Sequence, residues 1–166
     1  MSPSDPRLAS FCNQIAAMET WKRLKVDGSI LFQRNSTDPD REIWYWQSGE
    51  MTAAQGVIIF RRKDSSEYLK KLGFAESGPT SYVHLLAVFP GSQNRGIGAK
   101  LLAHAEEAAS HGSSVMSLCV SEWNENARRF YENYAYRPAG RSENCIIQGN
   151  TEILMRKPLS GSEADK

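Results

Sequence analysis

Several common signatures are thin or missing in this chain. Its 166 residues hold only three cysteines, Cys12, Cys119 and Cys145, odd in number and far apart. That set gives neither a disulfide framework nor a metal-ligand spacing. It leads us to expect no metal and a reducing, cytoplasmic setting, with Cys119 a buried thiol in an apolar run. An excess of either charge is missing too, since 20 Lys+Arg stand against 19 Asp+Glu for a net +1. Such a balance offers no electrostatic footprint for nucleic acid or for a membrane surface. No apolar run approaches the ~20 residues of a membrane span. The opening Met-Ser-Pro-Ser-Asp-Pro lacks the apolar stretch of a secretory leader. Internal repeats and low-complexity blocks are likewise absent.

What is present is a clear alternation of elements. Asp5-Pro6 reads as a helix start, with Leu8, Phe11, Cys12, Ile15 and Met18 at helical spacing behind it. Three extended stretches are expected next, Ser29–Arg34, Arg41–Gln47 and Gln55–Arg62, joined by polar turns and so antiparallel neighbours. Asp64-Ser-Ser-Glu67 resembles a capping box opening a short helix that Gly73 closes. Tyr82–Val88 reads as a strand, Ile97–His111 as a helix, Val115–Val120 as a strand and Asn124–Tyr134 as a helix. Cys145–Gln148 and Thr151–Arg156 flank Gly149-Asn150, a hairpin signal. The helical crossover makes Tyr82–Val88 and Val115–Val120 parallel. The expected fold is α/β (α+β), a mixed and mostly antiparallel sheet with helices on both faces. One domain over residues 1–158 is expected, followed by a polar tail over 159–166.

The most informative stretch is Ser81–Ala105, SYVHLLAVFPGSQNRGIGAKLLAHA. It leaves a strand through Pro90-Gly91 and sets Gly96 and Gly98 at the threshold of a helix. Glycines there cost entropy, and they suit a backbone that approaches an anion at a helix N-terminus. Gly91 and Gly96 have the spacing that opens a P-loop, but Ile97-Gly98 replaces the Lys-Ser/Thr that would grip a terminal phosphate and its metal. Gly96-Ile-Gly98 begins a dinucleotide fingerprint, with Leu101 at the third glycine and Glu122 near the place of a ribose-binding acid. Too little chain follows for a second nucleotide half.

A third reading accounts for more residues. Gln93-Asn94-Arg95-Gly96-Ile97-Gly98 resembles the Gln/Arg-x-x-Gly-x-Gly/Ala motif of the GNAT acyl-CoA N-acyltransferase superfamily. The likeness extends through Leu86-Ala87-Val88-Phe89-Pro90 and Leu101-Leu102, and again at Asn124-x-x-Ala127-x-x-Phe130-Tyr131-Glu132. It covers roughly residues 81–140. Tyr134-Ala135-Tyr136 departs from the family's aliphatic-Gly-Phe turn, which puts that turn in question. The resemblance implies a parallel strand pair splayed to hold acyl-CoA. Backbone of Leu86, Ala87 and Val88 would pair with the pantetheine arm, and the diphosphate would lie on N–H groups from Gln93 to Ala99. Arg95 would add charge, and Asn124 would bond the pantetheine or cap its own helix. Acetyl-CoA is then the cosubstrate.

The implied reaction needs two proton transfers. A primary amine of pKa ~10.4 must lose a proton before it attacks a thioester. Tyr131 holds the place of the family's proton-donating tyrosine, and a phenol of pKa ~10 is a feasible donor. His84 is the candidate base, in a Val-His-Leu-Leu-Ala-Val stretch that resembles arylalkylamine N-acetyltransferases; a structural histidine is the alternative. Glu42 or Glu50 acting through water is another. His104 and His111 are expected at the surface. Trp44 and Trp46 share a strand face and are candidates for receiving the amine by cation–π attraction, or for packing under the first helix. The expected activity is acetyl transfer to a primary amine of a small molecule. A protein (N-terminal or lysine) acetyltransferase and a non-catalytic acyl-CoA sensor are the alternatives, and a homodimer is compatible with either.

Overall fold

The computed structural model describes residues 7–49, 53–75 and 78–159. They fall into two compact units, Met1–Phe60 with Leu85–Ala105, and Arg61–His84 with Glu106–Lys166.

In the first unit, α1 (Arg7–Ala16) buries Leu8, Phe11, Cys12 and Ile15, the stripe its spacing predicts. The expected Asp5-Pro6 start lies outside the described residues. A short α2 (Glu19–Arg23) follows. The stretch expected as the strand Ser29–Arg34 is instead α3 (Gly28–Ser36). Three consecutive apolar residues, Ile30-Leu31-Phe32, cannot distinguish strand from helix by periodicity. The cap decides it, because the Asp27 carboxylate accepts the Ile30 N–H at 2.9 Å. Leu31 and Asn35 then point inward four residues apart, and Asn35 donates to the Leu31 carbonyl at 2.7 Å.

Strands β1 (Arg41–Trp46) and β2 (Gly56–Arg61) lie side by side, and the Gln55 N–H donates to the Trp46 carbonyl at 2.8 Å. Alternation along β1 turns Tyr45 toward Phe11 of α1, with ring centroids 5.8 Å apart. The second half of β3 (Ser81–Val88) belongs here, with the Phe89 N–H donating to the Gln55 carbonyl at 2.9 Å. Helix α5 (Ile97–Ser110) follows β3 and buries Leu101, Leu102 and Ala105.

The second unit starts with α4 (Ser66–Lys71). No capping box forms there. Asp64 instead accepts the N–H groups of Ser66 and Thr80, both at 3.0 Å, and so ties the helix start to the start of β3. Gly73, at φ +82°, closes the helix as expected. Strand β4 (Val115–Ser121), helix α6 (Glu125–Asn133) and strands β5 (Arg137–Glu143) and β6 (Thr151–Pro158) complete the unit. The last hairpin differs from expectation. Its first strand is β5, and Cys145–Gln148 lies in the connecting loop. Asn144 at φ +56° and Gly149 at φ +79° turn that loop, and Asn144 Oδ1 accepts the Gly149 N–H at 2.6 Å.

β4 runs parallel to β3 and antiparallel to β6, and β5 pairs antiparallel with β6 around a bulge between Pro138 and Gly140. Because β3 is common to both units, the strand order is β1-β2-β3-β4-β6-β5. This is the mixed, mostly antiparallel sheet with helices that was expected. Among the described residues no helix is long and apolar enough to cross a membrane.

Candidate active site

The first unit carries the strand-to-helix threshold. After Phe89-Pro90 the chain turns, with the Ser92 N–H donating to the Phe89 carbonyl at 3.0 Å. Gly91, Asn94 and Gly96 all take left-handed backbone, at φ +82°, +60° and +74°. A Cβ at Gly91 or Gly96 would meet nothing within 4 Å, so space lies open above this backbone. The first bond within α5 runs from the Lys100 N–H to the Gly96 carbonyl at 3.1 Å. Gly96 is therefore the N-cap, and the amides of Ile97, Gly98 and Ala99 have no acceptor inside the helix. Gln93, Asn94 and Arg95 are exposed, and the Gln93 amide donates to the Val88 carbonyl at 3.3 Å. These features fit a diphosphate, which takes backbone N–H donors at a helix start.

Gly56 supports this threshold from below, and sequence reasoning missed it. A Cβ there would stand 3.0 Å from both the Ala87 carbonyl oxygen and Ile97 Cγ2, so its absence lets the first turn of α5 sit against β2 and β3. The only sequence signal was a glycine at the head of a strand of large apolar residues.

Trp44 and Trp46 also lie in the first unit, and they face α5 rather than α1. The Trp44 ring meets His104 edge-on at 4.2 Å, and the Lys100 ammonium lies 4.7 Å from the Trp46 ring centroid. The cation on Trp46 is thus the chain's own. Glu42 shares their face by alternation, and Glu50 lies outside the described residues.

The second unit holds the titratable candidates. Asn124 caps α6, accepting the Ala127 N–H at 3.2 Å. Seven residues on, Tyr131 is buried at 8% exposure, its ring 5.6 Å from that of Tyr136. No described residue hydrogen-bonds its hydroxyl, and burial raises its pKa, which keeps the phenol protonated at neutral pH. Tyr136 in turn donates to Glu106 Oε1 at 2.9 Å, and Lys157 meets Glu106 Oε2 at 2.6 Å. Ala135, the departure from the family turn, takes the left-handed conformation of the missing glycine, at φ +68°.

His84 is half-buried, its ring 4.8 Å from Tyr82 and 5.3 Å from Tyr68. Burial holds the Tyr82 phenol well above its usual range and pushes the Cys119 thiol up to about 12, so both are neutral near pH 7. The parallel pairing of β3 with β4 runs from Ser81–Met116 to Val83–Leu118, and β4 pairs with β6 as far as Ser121. Glu122, weighed earlier as a ribose ligand, is bound to Arg141 at 3.0 Å and so is committed elsewhere. His111 is exposed, its Nδ1 3.0 Å from the Glu107 carbonyl oxygen. Among the described residues no cluster of His, Cys, Asp and Glu is suited to a metal.

Comparison with known proteins bears on the fold and the family. The chain resembles Arabidopsis thaliana NAA60, solved with a bisubstrate analogue, at 19% identity over 95% of this chain and 96% of that one (TM-score 0.69). It resembles an aminoglycoside 6'-acetyltransferase type Ii at 17% identity, covering 96% and 94% (TM-score 0.66). It also resembles the ribosomal-protein-S18-alanine N-acetyltransferase from Escherichia coli at 17% identity, covering 100% and 97% (TM-score 0.61). These likenesses share the fold. Residues 9–136 match the model of the acetyltransferase (GNAT) family. The chain belongs to that family and is an acetyl-CoA-dependent acetyltransferase.

Proposed function

We propose that the protein transfers an acetyl group from acetyl-CoA to the primary amine of a small molecule by direct attack. The observation that carries the small-molecule reading is the covering of the His84 face. There Leu69 and Phe74 pack on Tyr82 and Leu154, with Tyr68 and Leu72 against them. A roofed face suits a compact amine, whereas a polypeptide acceptor requires an open groove.

Acetyl-CoA supplies a thioester whose acyl carbon accepts the amine. The amides of Gln93 to Ala99 hold the diphosphate, with Arg95 adding charge. Leu86, Ala87 and Val88 offer backbone partners to the pantetheine arm, and the Asn124 amide, whose carbonyl is engaged in capping, has N–H donors to spare. His84 takes a proton from the incoming ammonium. Tyr131 gives its proton to the departing sulfur and recovers one as the new amide nitrogen sheds its own. Among the described residues no group competes for that phenolic proton, and burial keeps it in place at neutral pH.

The test is thiol release from acetyl-CoA against two panels, small primary amines and short peptides with free N-termini or lysines. Turnover confined to the small amines is expected. Faster turnover of peptides would move the assignment to protein acetylation, and no turnover with either would reduce the protein to an acyl-CoA binder.

A further inference from the structure

One buried carboxylate has no part in the chemistry above. Glu152 opens β6 opposite Ser121, in the last pair of the β4–β6 ladder, and is 4% exposed. Its Oε1 accepts from the Ser121 hydroxyl at 3.2 Å and from the Asn150 amide. Asn150 is itself fixed, its carbonyl accepting Trp123 Nε1–H at 2.9 Å and its amide reaching Ser121 Oγ at 2.9 Å. Among the described residues, the side-chain bonds to Glu152 fall on Oε1 and come from neutral donors, and no cation pairs with it. The contrast with Glu106 is direct, because that carboxylate is answered by Lys157 and Tyr136. A buried carboxylate left without a counter-ion is unfavourable and persists where something else supplies the charge.

We propose that Glu152 receives the ammonium group of the acceptor, so that the enzyme selects amines arriving as cations. This rests on the acetyl-transfer reading above. Placement supports it. Ser117, Cys119 and Ser121 share one face of β4 with Tyr82 of β3 and Glu152 of β6, and His84 follows Tyr82 on that face. Tyr131 belongs to the other face, since its neighbour Tyr136 leads through Glu106 to Lys157, which alternates against Glu152 and Arg156 along β6. An amine seated at Glu152 thus approaches from the face opposite the proton donor.

The surrounding described groups supply no counter-charge of their own. Tyr82 and Cys119 feel the Glu152 charge and stay neutral. Arg156 is four residues along β6, roughly 13 Å away. Glu122, Arg141 and Glu143 satisfy one another. Cys145 and Tyr68 bring no cation. Burial raises the Glu152 carboxyl above its ordinary range, against the pull of the Asn150 and Ser121 bonds, and an arriving ammonium restores the ionised form.

Calorimetry with 2-phenylethylamine and butylamine, each against its isosteric alcohol, tests this on wild type and Glu152→Gln. Wild type should bind each amine at least tenfold more tightly than the alcohol. Glu152→Gln should erase that margin while acetyl-CoA affinity holds and the melting temperature does not fall. Should that variant misfold, Asn150→Ala carries the test, weakening amine binding and leaving the alcohol unchanged. No margin with either amine in wild type, or a margin that survives both substitutions, overturns the proposal. Thiol release is read separately. A wild type that binds ammonium through Glu152 yet releases no thiol overturns acetyl transfer and not this site.

Discussion

The ammonium of Lys100, on α5, sits 4.7 Å from the ring centroid of Trp46, on β1. The tryptophan therefore fastens the helix of the anion threshold to the edge of the sheet. Trp46→Ala should cost about 2 kcal/mol, below the ~3–5 kcal/mol of a fully buried tryptophan. Lys100→Ala should cost roughly 0.5–1 kcal/mol. Thermal melting checks both. A raised KM for amine in Trp46→Ala, with the melting temperature intact, would return Trp46 to the acceptor site.

Tyr131→Phe should lower kcat by about 100-fold, the scale of a lost general acid, and leave acetyl-CoA affinity unchanged. The melting temperature should hold or rise, because the buried hydroxyl removed has no hydrogen-bond partner among the described residues. Steady-state kinetics beside calorimetry separates the two effects. Wild-type turnover would make Tyr131 a packing residue.

Gly96 combines φ +74° with open space over its Cα. Gly96→Val strains the backbone and fills the space where a diphosphate would rest, so the dissociation constant for acetyl-CoA should rise by about tenfold or more, equivalent to ~1.4 kcal/mol. Titration calorimetry reads this directly. Equal affinity would place the cofactor elsewhere.

Ala135 holds a left-handed conformation at φ +68° that costs an L-residue roughly 1–2 kcal/mol. Glycine removes that strain and returns about 0.5–1 kcal/mol in unfolded-state entropy. Ala135→Gly should raise stability by up to about 1 kcal/mol, a gain of roughly 2–4 °C in melting temperature. A loss of stability would show that the methyl group packs usefully.

Burial raises the Glu152 carboxyl, so the folded state holds this proton more tightly than the unfolded chain does. The stabilisation is complete below the ordinary glutamate value of ~4.3 and is lost as pH rises through the higher folded value. Melting temperature followed from acid to neutral pH should fall by less in Glu152→Gln than in wild type. Parallel curves would mean that Glu152 titrates normally.

The sequence was most legible where glycine and proline punctuate it. Pro90-Gly91 and Gly96 mark the end of β3 and the cap of α5, and the helical crossover forces β3 and β4 to be parallel. It was least legible where tertiary context decides. Ile30-Leu31-Phe32 is apolar in any conformation, and only the Asp27 side chain selects the helix. β5, Arg-Pro-Ala-Gly-Arg-Ser-Glu, has no alternation of apolar residues, because most of it stays exposed and it is ordered by pairing with β6. In the sequence, Glu152 is one charge beside the Gly149-Asn150 turn. Its significance depends on the register that sets it opposite Ser121, which no local pattern encodes.

Strand β5 ends the sheet order, and its composition bears on how the protein behaves in a crowded solution. Pro138 offers no N–H to a visiting strand, the bulge between Pro138 and Gly140 breaks the rhythm of the ladder, and Arg137, Arg141 and Glu143 stand exposed along it. Such an edge resists templating by another chain, which guards against fibrous aggregation while the protein is concentrated.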